Sequence, residues 1–257
     1  MLKEKTLFGI IDKVKESIKL LKDMEPEEGY YLAFSGGKDS VCIKRLADMA
    51  GVKYDAHYNV TTIDPPELVY FIRDYHKDVI WEHPEKNMLV KMIDKQFPPL
   101  RQQRWCCELY KEGGGSGRIV ITGIRKAESA KRAKRKAVER DYKNETKQIV
   151  NPIIDWSDDD VWEFIKQEKL PYCSLYDEGW KRIGCLFCPM AGKSRLMEAK
   201  RYPNYVKFFI RHFEKLYQWR KENDKPLNNW NSGEEMFWWW MNDNRKSEDS
   251  DQTIMFE

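Results

Sequence analysis

An apolar run and a helical pattern are joined by Ser35-Gly36-Gly37-Lys38-Asp39-Ser40, and this arrangement indicates the class of fold. Residues 30–34 predict a buried strand, and apolar residues recur at helical spacing through residues 41–50. Paired glycines between a strand and a helix let backbone N–H groups approach phosphate oxygens, and the helix N-terminus adds its positive end. Lys38 adds a cation, and Asp39 suits a phosphate site that also holds Mg²⁺. The stretch therefore predicts a phosphate-binding loop, and the alternative is a tight turn capped by serine.

The composition indicates a chain that buries a large core and carries a charged surface. Of its 257 residues, 41% are apolar and 34% are charged, and no apolar run is long enough to span a membrane. The first residues lack the pattern of a signal peptide, and six cysteines without one are more often ligands or nucleophiles than disulfides. We therefore expect a cytoplasmic protein with no membrane contact.

Strand-like and helix-like segments alternate along most of the chain. This alternation predicts an α/β fold with a parallel sheet and helices on both faces, in which ligands bind at the carboxyl ends of the strands. Strands are predicted at residues 30–34, 54–60, 79–81, 118–123 and 149–154, and helices at 7–22, 41–50, 65–76, 87–95, 158–167 and 194–244. The expected regions are an N-terminal helix at 1–27, a nucleotide-binding domain at 28–192, a helical Trp-rich region at 193–245 and a polar tail at 246–257.

Four of the six cysteines stand in two pairs, which are Cys106-Cys107 and Cys185-Leu186-Phe187-Cys188. A C-x-x-C pair occurs in zinc, iron–sulfur and redox sites alike, whereas adjacent cysteines are less usual ligands for zinc. Three interpretations follow from these residues: an iron–sulfur cluster, a zinc site, or cysteines without a metal. Cys42 and Cys173 are expected to pack in the core.

Taken in order, these motifs resemble the phosphoadenosine-phosphosulfate (PAPS) reductase family, over about residues 28–192. The loop resembles the phosphate loop of ATP pyrophosphatases, and residues 123–129 resemble the family motif G-[IL]-R-x-x-E-S. The resemblance implies an adenine nucleotide alpha hydrolase-like fold, to which this chain adds a C-terminal helical cap. It implies nucleotide contacts from Ser35, Gly36, Gly37, Lys38, Asp39, Ser40, Thr62, Gly123, Arg125 and Glu128, with catalytic roles for Lys38, Asp39, Lys111 and Arg125.

The order of the cysteine pairs resembles the [4Fe–4S] site of adenylylsulfate reductases, which use Cys-Cys, a long gap and Cys-x-x-Cys. The resemblance implies that Lys111 lies between the cluster and the substrate. The implied cluster ligands are Cys106, Cys107, Cys185 and Cys188.

Two features depart from the reductases of this family. Those enzymes usually carry a degenerate phosphate loop and use a nucleophilic cysteine near the C-terminus, whereas this loop is intact and no cysteine follows Cys188. In having an intact loop, the chain resembles the ATP pyrophosphatase of DNA phosphorothioation systems. We therefore expect an enzyme that uses ATP and Mg²⁺, releases pyrophosphate, adenylates an acceptor and carries a [4Fe–4S] cluster. The alternatives are sulfonucleotide reduction with a partner thiol, and a non-enzymatic sensor of nucleotides or nucleic acid.

Basic residues are concentrated in one segment, residues 125–147. This segment holds ten Lys and Arg against four Asp and Glu, although the whole chain has a net charge of only +3. Such a run predicts a surface that follows a nucleic-acid backbone, either tRNA or DNA, and the alternative is a solvated basic helix that covers phosphates. Besides an adenine nucleotide, the expected partners are a nucleic acid and a sulfur donor or thiol partner protein.

Overall fold

A six-stranded sheet forms the centre of the computed structural model, which describes residues 2–6, 9–141 and 144–242. The strands are β1 (Lys3–Thr6), β2 (Gly9–Asp12), β3 (Tyr30–Ala33), β4 (Tyr54–Asn59), β5 (Ile80–Glu82), β6 (Ile119–Ile121), β7 (Val138–Arg140) and β8 (Gln148–Val150). In the sheet their order is β5-β4-β3-β6-β8-β7, and all pairs are parallel except β7 with β8. The predicted, mostly parallel α/β architecture is therefore confirmed.

Helices follow most of these strands and complete the main core. Three of them pack in a row, in which α2 (Lys38–Ala50) contacts both α1 (Lys13–Asp23) and α7 (Asp158–Gln167). In the part of the chain that the structure describes, no helix is both long and apolar enough to cross a bilayer. The helices are α1 (Lys13–Asp23), α2 (Lys38–Ala50), α3 (Pro66–Tyr75), α4 (Met88–Asp94), α5 (Trp105–Cys107), α6 (Ala130–Ala133), α7 (Asp158–Gln167), α8 (Ser194–Arg201), α9 (Pro203–Glu222) and α10 (Gly233–Met241).

The N-terminal segment differs from the helix predicted over residues 7–22. Strands β1 and β2 pair as an antiparallel hairpin, so the predicted helix is wrong at its start and begins only at Lys13. Asp12 sets the boundary, because its side chain accepts a hydrogen bond from the backbone N–H of Lys15 and caps α1. Leu7 and the predicted polar tail at 246–257 lie outside the residues described.

The basic segment is not the continuous helix that we considered. It forms a 3₁₀ turn at Lys126–Glu128, the single helical turn α6, and then strand β7 at the edge of the sheet. Val138 of β7 lies opposite Val150 of β8 in the antiparallel register. The strand exists because β8 offers it a pairing edge, which the charge pattern of the segment itself does not encode.

The C-terminal helices build a second core. Helix α9 packs against α10 and α4, as expected for the aromatic pattern of this region. Leu186 and Phe187 belong to the same core, although they precede α8 in the chain. The loop between the second pair of cysteines is therefore part of the C-terminal core. Its largest fully buried aromatic side chains are Phe187, Phe209, Phe213 and Phe237.

Candidate functional site

The predicted phosphate loop lies at the carboxyl end of β3, which is a central strand of the sheet. Gly36 has a φ angle of +72°, and a Cβ atom there would lie 2.7 Å from Cδ1 of Leu68. A larger residue would therefore be strained in its backbone and crowded by α3. Gly37 caps α2 without a side-chain hydrogen bond, so no side chain of its own covers the positive end of the helix.

Hydrogen bonds connect residues within the loop and link the loop to neighbouring residues. Ser40 Oγ donates to the carbonyl of Gly37 at 2.8 Å, and Ser35 Oγ donates to Ser40 Oγ at 3.3 Å. The backbone N–H of Lys38 donates to the hydroxyl of Tyr176 at 3.0 Å. Gly123 packs against the same helix, because a Cβ atom there would lie 3.1 Å from the backbone carbon of Asp39. The turn after β6 thus touches the phosphate loop, as the sequence predicted for strands that end at one edge.

Four charged side chains meet beside the loop. Arg125 Nε lies 2.7 Å from Asp39 Oδ1, and Arg125 Nη2 lies 3.0 Å from Asp158 Oδ1. Lys38 Nζ lies 3.1 Å from that same oxygen of Asp158 and donates to the carbonyl of Lys181 at 3.1 Å. The side chains of Lys38 and Arg125 are only 6% and 4% exposed, whereas that of Asp158 is 61% exposed. The two buried cations are therefore compensated by one enclosed and one accessible carboxylate.

The two carboxyl groups of this cluster respond differently to their surroundings. Burial raises the pKa of Asp39, while Arg125 and Lys38 act in the opposite direction. Burial also opposes ionisation of Asp158, but hydrogen bonding and the charge of Lys38, followed by the charge of Arg125, lower its pKa overall. Asp158 is thus the carboxylate that the two cations hold ionised.

Asp158 is the residue of this site that the sequence reasoning missed. The sequence pattern identifies it only as the start of a helix. The structure confirms that helix, which is capped by Ser157, whose Oγ accepts a hydrogen bond from the N–H of Asp160 at 3.1 Å. The sequence feature that could have identified it is the run of three aspartates after the N-cap. Acidic residues are also common in the first turn of any helix, because they interact favourably with its positive end. The contact with Lys38 and Arg125, seen only in the folded structure, distinguishes a residue of the charged cluster from an ordinary acid of a first helical turn.

Two other predicted nucleotide contacts have partners within the protein. Glu128 accepts from the backbone N–H of Arg125 at 3.0 Å and pairs with Arg132. Thr62 has a φ angle of +67°, and its hydroxyl accepts from the N–H of Met88 at 3.0 Å. The structure therefore brings Lys38, Asp39 and Arg125 together, whereas the hydroxyl of Thr62 serves the N-terminus of α4.

The loop of the second cysteine pair is held by buried charges of α8. Phe187 has a φ angle of +58°, and its N–H donates to the carboxylate of Glu198 at 2.6 Å. Arg195 Nε donates to the carbonyl of Phe187 at 3.0 Å, and its guanidinium lies 4.4 Å from the ring centre of Trp240. Arg195 is 2% exposed and Glu198 is 5% exposed. The backbone between Cys185 and Cys188 is therefore positioned by the C-terminal core.

The first cysteine pair lies on α5, which continues into a π-helical turn at Glu108–Glu112. None of the four cysteines forms a disulfide, and the charge of Cys106 interacts with the charges of the other three. The pKa of Cys106 is raised, first by its hydrogen bond to Cys107 and by burial, and then by the charges of Cys107, Cys185 and Cys188. The same hydrogen bond is the largest cause that lowers the pKa of Cys107, to about 6. The two pairs, far apart in sequence, are thus brought to one side of the molecule.

Lys111 lies beside Cys185. Burial opposes the charge of Lys111, but the charges of Cys185 and Asp64 and a hydrogen bond to Cys185 raise its pKa overall. Cys185 also hydrogen-bonds to Thr61, which follows β4. The second cysteine pair therefore borders the same carboxyl edge of the sheet that carries the phosphate loop.

The donor set at the cysteine site consists of four thiols. Within residues 2–6, 9–141 and 144–242, no three His, Cys, Asp or Glu side chains stand close enough to surround one metal ion. A single zinc ion needs each sulfur at about 2.3 Å, whereas a four-iron cluster spreads its cysteine ligands over separate irons. Four free thiols and a nearby lysine fit the chemistry of such a cluster, and its ligation stays a prediction.

Comparison with known proteins places most of the chain in one family. Residues 29–191 match the phosphoadenosine phosphosulfate reductase domain. The chain is 30% identical to the uncharacterized protein MJ0066 of Methanocaldococcus jannaschii over 211 residues, which are 77% of this chain and 42% of that protein. It is 38% identical to an adenosine 5'-phosphosulfate reductase of Oceanobacillus iheyensis over 160 residues, which are 56% of this chain and 62% of that enzyme.

The chain thus spans about half the length of the curated relatives that it matches. Among solved structures, the phosphoadenylyl-sulfate (PAPS) reductase of Candida auris superimposes with a TM-score of 0.51 at 18% identity, covering 66% of this chain and 88% of that one. This likeness supports the fold. Because the family match extends over more than half of the residues, the chain belongs to the phosphoadenosine phosphosulfate reductase domain family.

Proposed function

We propose that the chain is an ATP pyrophosphatase-type enzyme, which binds ATP, releases pyrophosphate and adenylates an acceptor. The observation that carries this proposal is the intact loop at the end of β3, with Lys38 and Arg125 buried beside the N-terminus of α2. Two buried cations and a helix N-terminus favour a ligand with several negative charges. The triphosphate of ATP meets that requirement.

In this proposal the chain acts by positioning and by charge neutralisation. An oxygen of the acceptor forms a bond to the α-phosphorus, the bond from that phosphorus to the β-bridging oxygen breaks, and pyrophosphate leaves with the electron pair. Lys38 and Arg125 would stabilise the charge that develops on the leaving group. Asp39 would hold Mg²⁺ together with phosphate oxygens.

The four cysteines would hold a [4Fe–4S] cluster, which when bound supplies either a cross-link between the two cysteine segments or sulfur for transfer. Lys111 would then place a positive charge between that group and the adenylated acceptor. The hydrogen bond of Lys111 to Cys185 and its interaction with the charge of Asp64 support this position.

We also propose a nucleic acid as the acceptor, through the basic segment. Lys131, Lys134 and Lys136 are exposed and make no ion pair with the described part of the chain. Arg132 and Arg135, in contrast, are paired with Glu128 and Glu139. With three available lysines, log affinity should fall against log salt with a slope of about −2 for single strands and about −3 for duplex DNA.

A second function, sulfonucleotide reduction, is favoured by the 38% identity to an adenosine 5'-phosphosulfate reductase. That reaction would need a thiolate from a partner protein to attack sulfur and a second thiol to release sulfite. It differs from the leading proposal in its products, since it yields sulfite and AMP, whereas adenylyl transfer yields pyrophosphate.

The test follows both products in the same preparation. Wild-type protein with ATP and Mg²⁺ should release pyrophosphate when tRNA, single-stranded DNA or duplex DNA is present. Lys38→Ala should lower kcat/KM about 100-fold, because a charge-stabilising contact is lost. The control is Lys44→Ala, on the same helix but paired with Asp78. Equal affinity for ATP and adenosine would contradict the proposal, and sulfite release without pyrophosphate release would favour reduction.

The cluster has its own test. Anaerobically purified protein should contain about four irons per chain, and Cys185→Ser should lose them. The matched control is Cys42→Ser, since Cys42 is buried in α2. Stoichiometric zinc, with no iron after anaerobic reconstitution, would show that the cluster assignment is wrong.

A further inference from the structure

Asp158 pairs with both buried cations beside the Ser35–Ser40 loop. One oxygen of its carboxylate, Oδ1, lies 3.1 Å from Lys38 Nζ and 3.0 Å from Arg125 Nη2. This carboxylate contributes nothing to the loop backbone, and its side chain is 61% exposed. An accessible anion is thus held between two buried cations.

The other carboxylate of the cluster is enclosed. The side chain of Asp39 is 24% exposed, and a Cβ atom at Gly123 would lie 3.1 Å from the backbone carbon of Asp39 in the first turn of α2. Asp158 instead begins α7, where rotation of its side chain leads directly to solvent. Of the two carboxylates, Asp158 is therefore the one that can leave the cations without disturbing the fold.

We propose that Asp158 is an internal competitor for phosphate, which leaves Lys38 and Arg125 when a polyphosphate binds and returns to them as pyrophosphate departs. The proposal rests on the proposed function for the identity of the ligand, the polyphosphate portion of ATP. It adds a residue that sets the affinity for anions and assists product release.

Charge explains why a polyphosphate displaces the carboxylate and a weaker anion does not. Asp158 offers one negative charge through one oxygen, whereas pyrophosphate offers several charges and can meet both cations at once. Every anion that uses both cations must first break the two contacts of Asp158. Because each is a partly exposed ion pair, their loss should weaken anion binding about fivefold in all.

The experiment compares Asp158→Asn with Asp159→Asn. Asp159 is the adjacent, exposed acid in the first turn of α7, so both variants lose a similar charge at the helix N-terminus. Calorimetry with pyrophosphate, without Mg²⁺, should show about fivefold tighter binding for Asp158→Asn and little change for Asp159→Asn. Asp158→Glu, which keeps the charge, should stay near wild type, and thermal unfolding confirms that each variant is folded.

Pyrophosphate affinity of Asp158→Asn equal to or weaker than that of Asp159→Asn would overturn the proposal. Weaker binding of ATP by Asp158→Asn only in the presence of Mg²⁺ would also overturn it, since Asp158 would then be a metal ligand. Pyrophosphate release from ATP is measured in parallel. If wild type releases none while Asp158→Asn still binds pyrophosphate more tightly, the competitor role holds and adenylyl transfer fails.

Discussion

The phosphate loop and the cysteine site lie at the same edge of the sheet but are built in opposite ways. The loop is one continuous turn from β3 to α2, and most of its backbone is set by residues within it and by α2, although α3 and Tyr176 also contact it. The cysteine site joins two segments separated by 77 residues, and its second half is held by Arg195 and Glu198 of α8. The loop therefore depends mainly on local structure, whereas the cysteine site depends on the C-terminal core.

Arg195→Met should give the largest effect and separate the two sites. The change leaves Glu198 and the carbonyl of Phe187 buried without their charged neighbour, which should cost about 4 kcal/mol of unfolding free energy. Chemical denaturation measures this loss, and iron content should fall with it. Arg211→Met, at an exposed position of α9, is the control and should change stability by less than about 0.5 kcal/mol. Loss of pyrophosphate binding in folded Arg195→Met would show that the loop also depends on the C-terminal core.

Gly36→Ala is the reciprocal change, since it should damage the loop and spare the cysteines. Its positive φ angle and the close contact with Leu68 together should cost about 3 kcal/mol. Gly51→Ala isolates the backbone part, because Gly51 has a φ angle of +69° and a Cβ atom there would meet no other atom within 4 Å. That control should lose about 1 kcal/mol and keep pyrophosphate binding. Equal losses in the two variants would mean that the contact with α3 does not constrain the loop.

His76 makes the region behind the loop sensitive to acid. Its ring packs against Phe34 and Phe71, and burial, followed by the charge of Lys44, lowers its pKa to about 4. The unfolded chain therefore binds a proton below about pH 6.5, where the folded chain does not. The contribution of neutral His76 to the free energy of unfolding is fully present above that pH. The free energy of unfolding falls by roughly 2–3 kcal/mol as the pH decreases to 4.

Replacement of His76 by Phe should flatten this dependence by the same amount. Denaturant unfolding of both proteins at pH 7 and pH 4 measures the difference. An unchanged loss of stability between the two pH values would show that His76 is protonated in the folded state.

Thr62→Val should give the smallest effect, and it tests which of the two sites uses this residue. Its hydroxyl accepts the N–H of Met88, so the change should cost about 1 kcal/mol, while Thr62→Ser should retain most of the stability. ATP affinity should be unaffected by either change. If Thr62→Val instead weakens ATP binding at constant stability, the hydroxyl contacts the nucleotide, as the family resemblance implied.

Local patterns predicted the sheet and the helices well, and the failures share one cause. The helix at residues 158–167 was predicted to the residue, because Ser157 and the acids behind it satisfy the cap locally. The hairpin before Lys13 and the edge strand β7 were missed, because both are stabilised by pairing with another strand. Periodicity within a segment does not report what lies beside it.

Sequence patterns alone indicated the strand–glycine–helix turn at residues 35–40, the spacing of the two cysteine pairs and most of the strands and helices. These features depend on neighbours in sequence, which set backbone conformation and helix caps. Contacts between distant parts of the chain were needed to show that Asp158 pairs with Lys38 and Arg125, that the Thr62 hydroxyl accepts the N–H of Met88, and that Arg195 holds the cysteine loop. Each of these contacts joins residues that are distant in sequence. A buried charge or hydroxyl forms hydrogen bonds with the polar groups that lie near it in the folded chain, and the local sequence does not specify those groups.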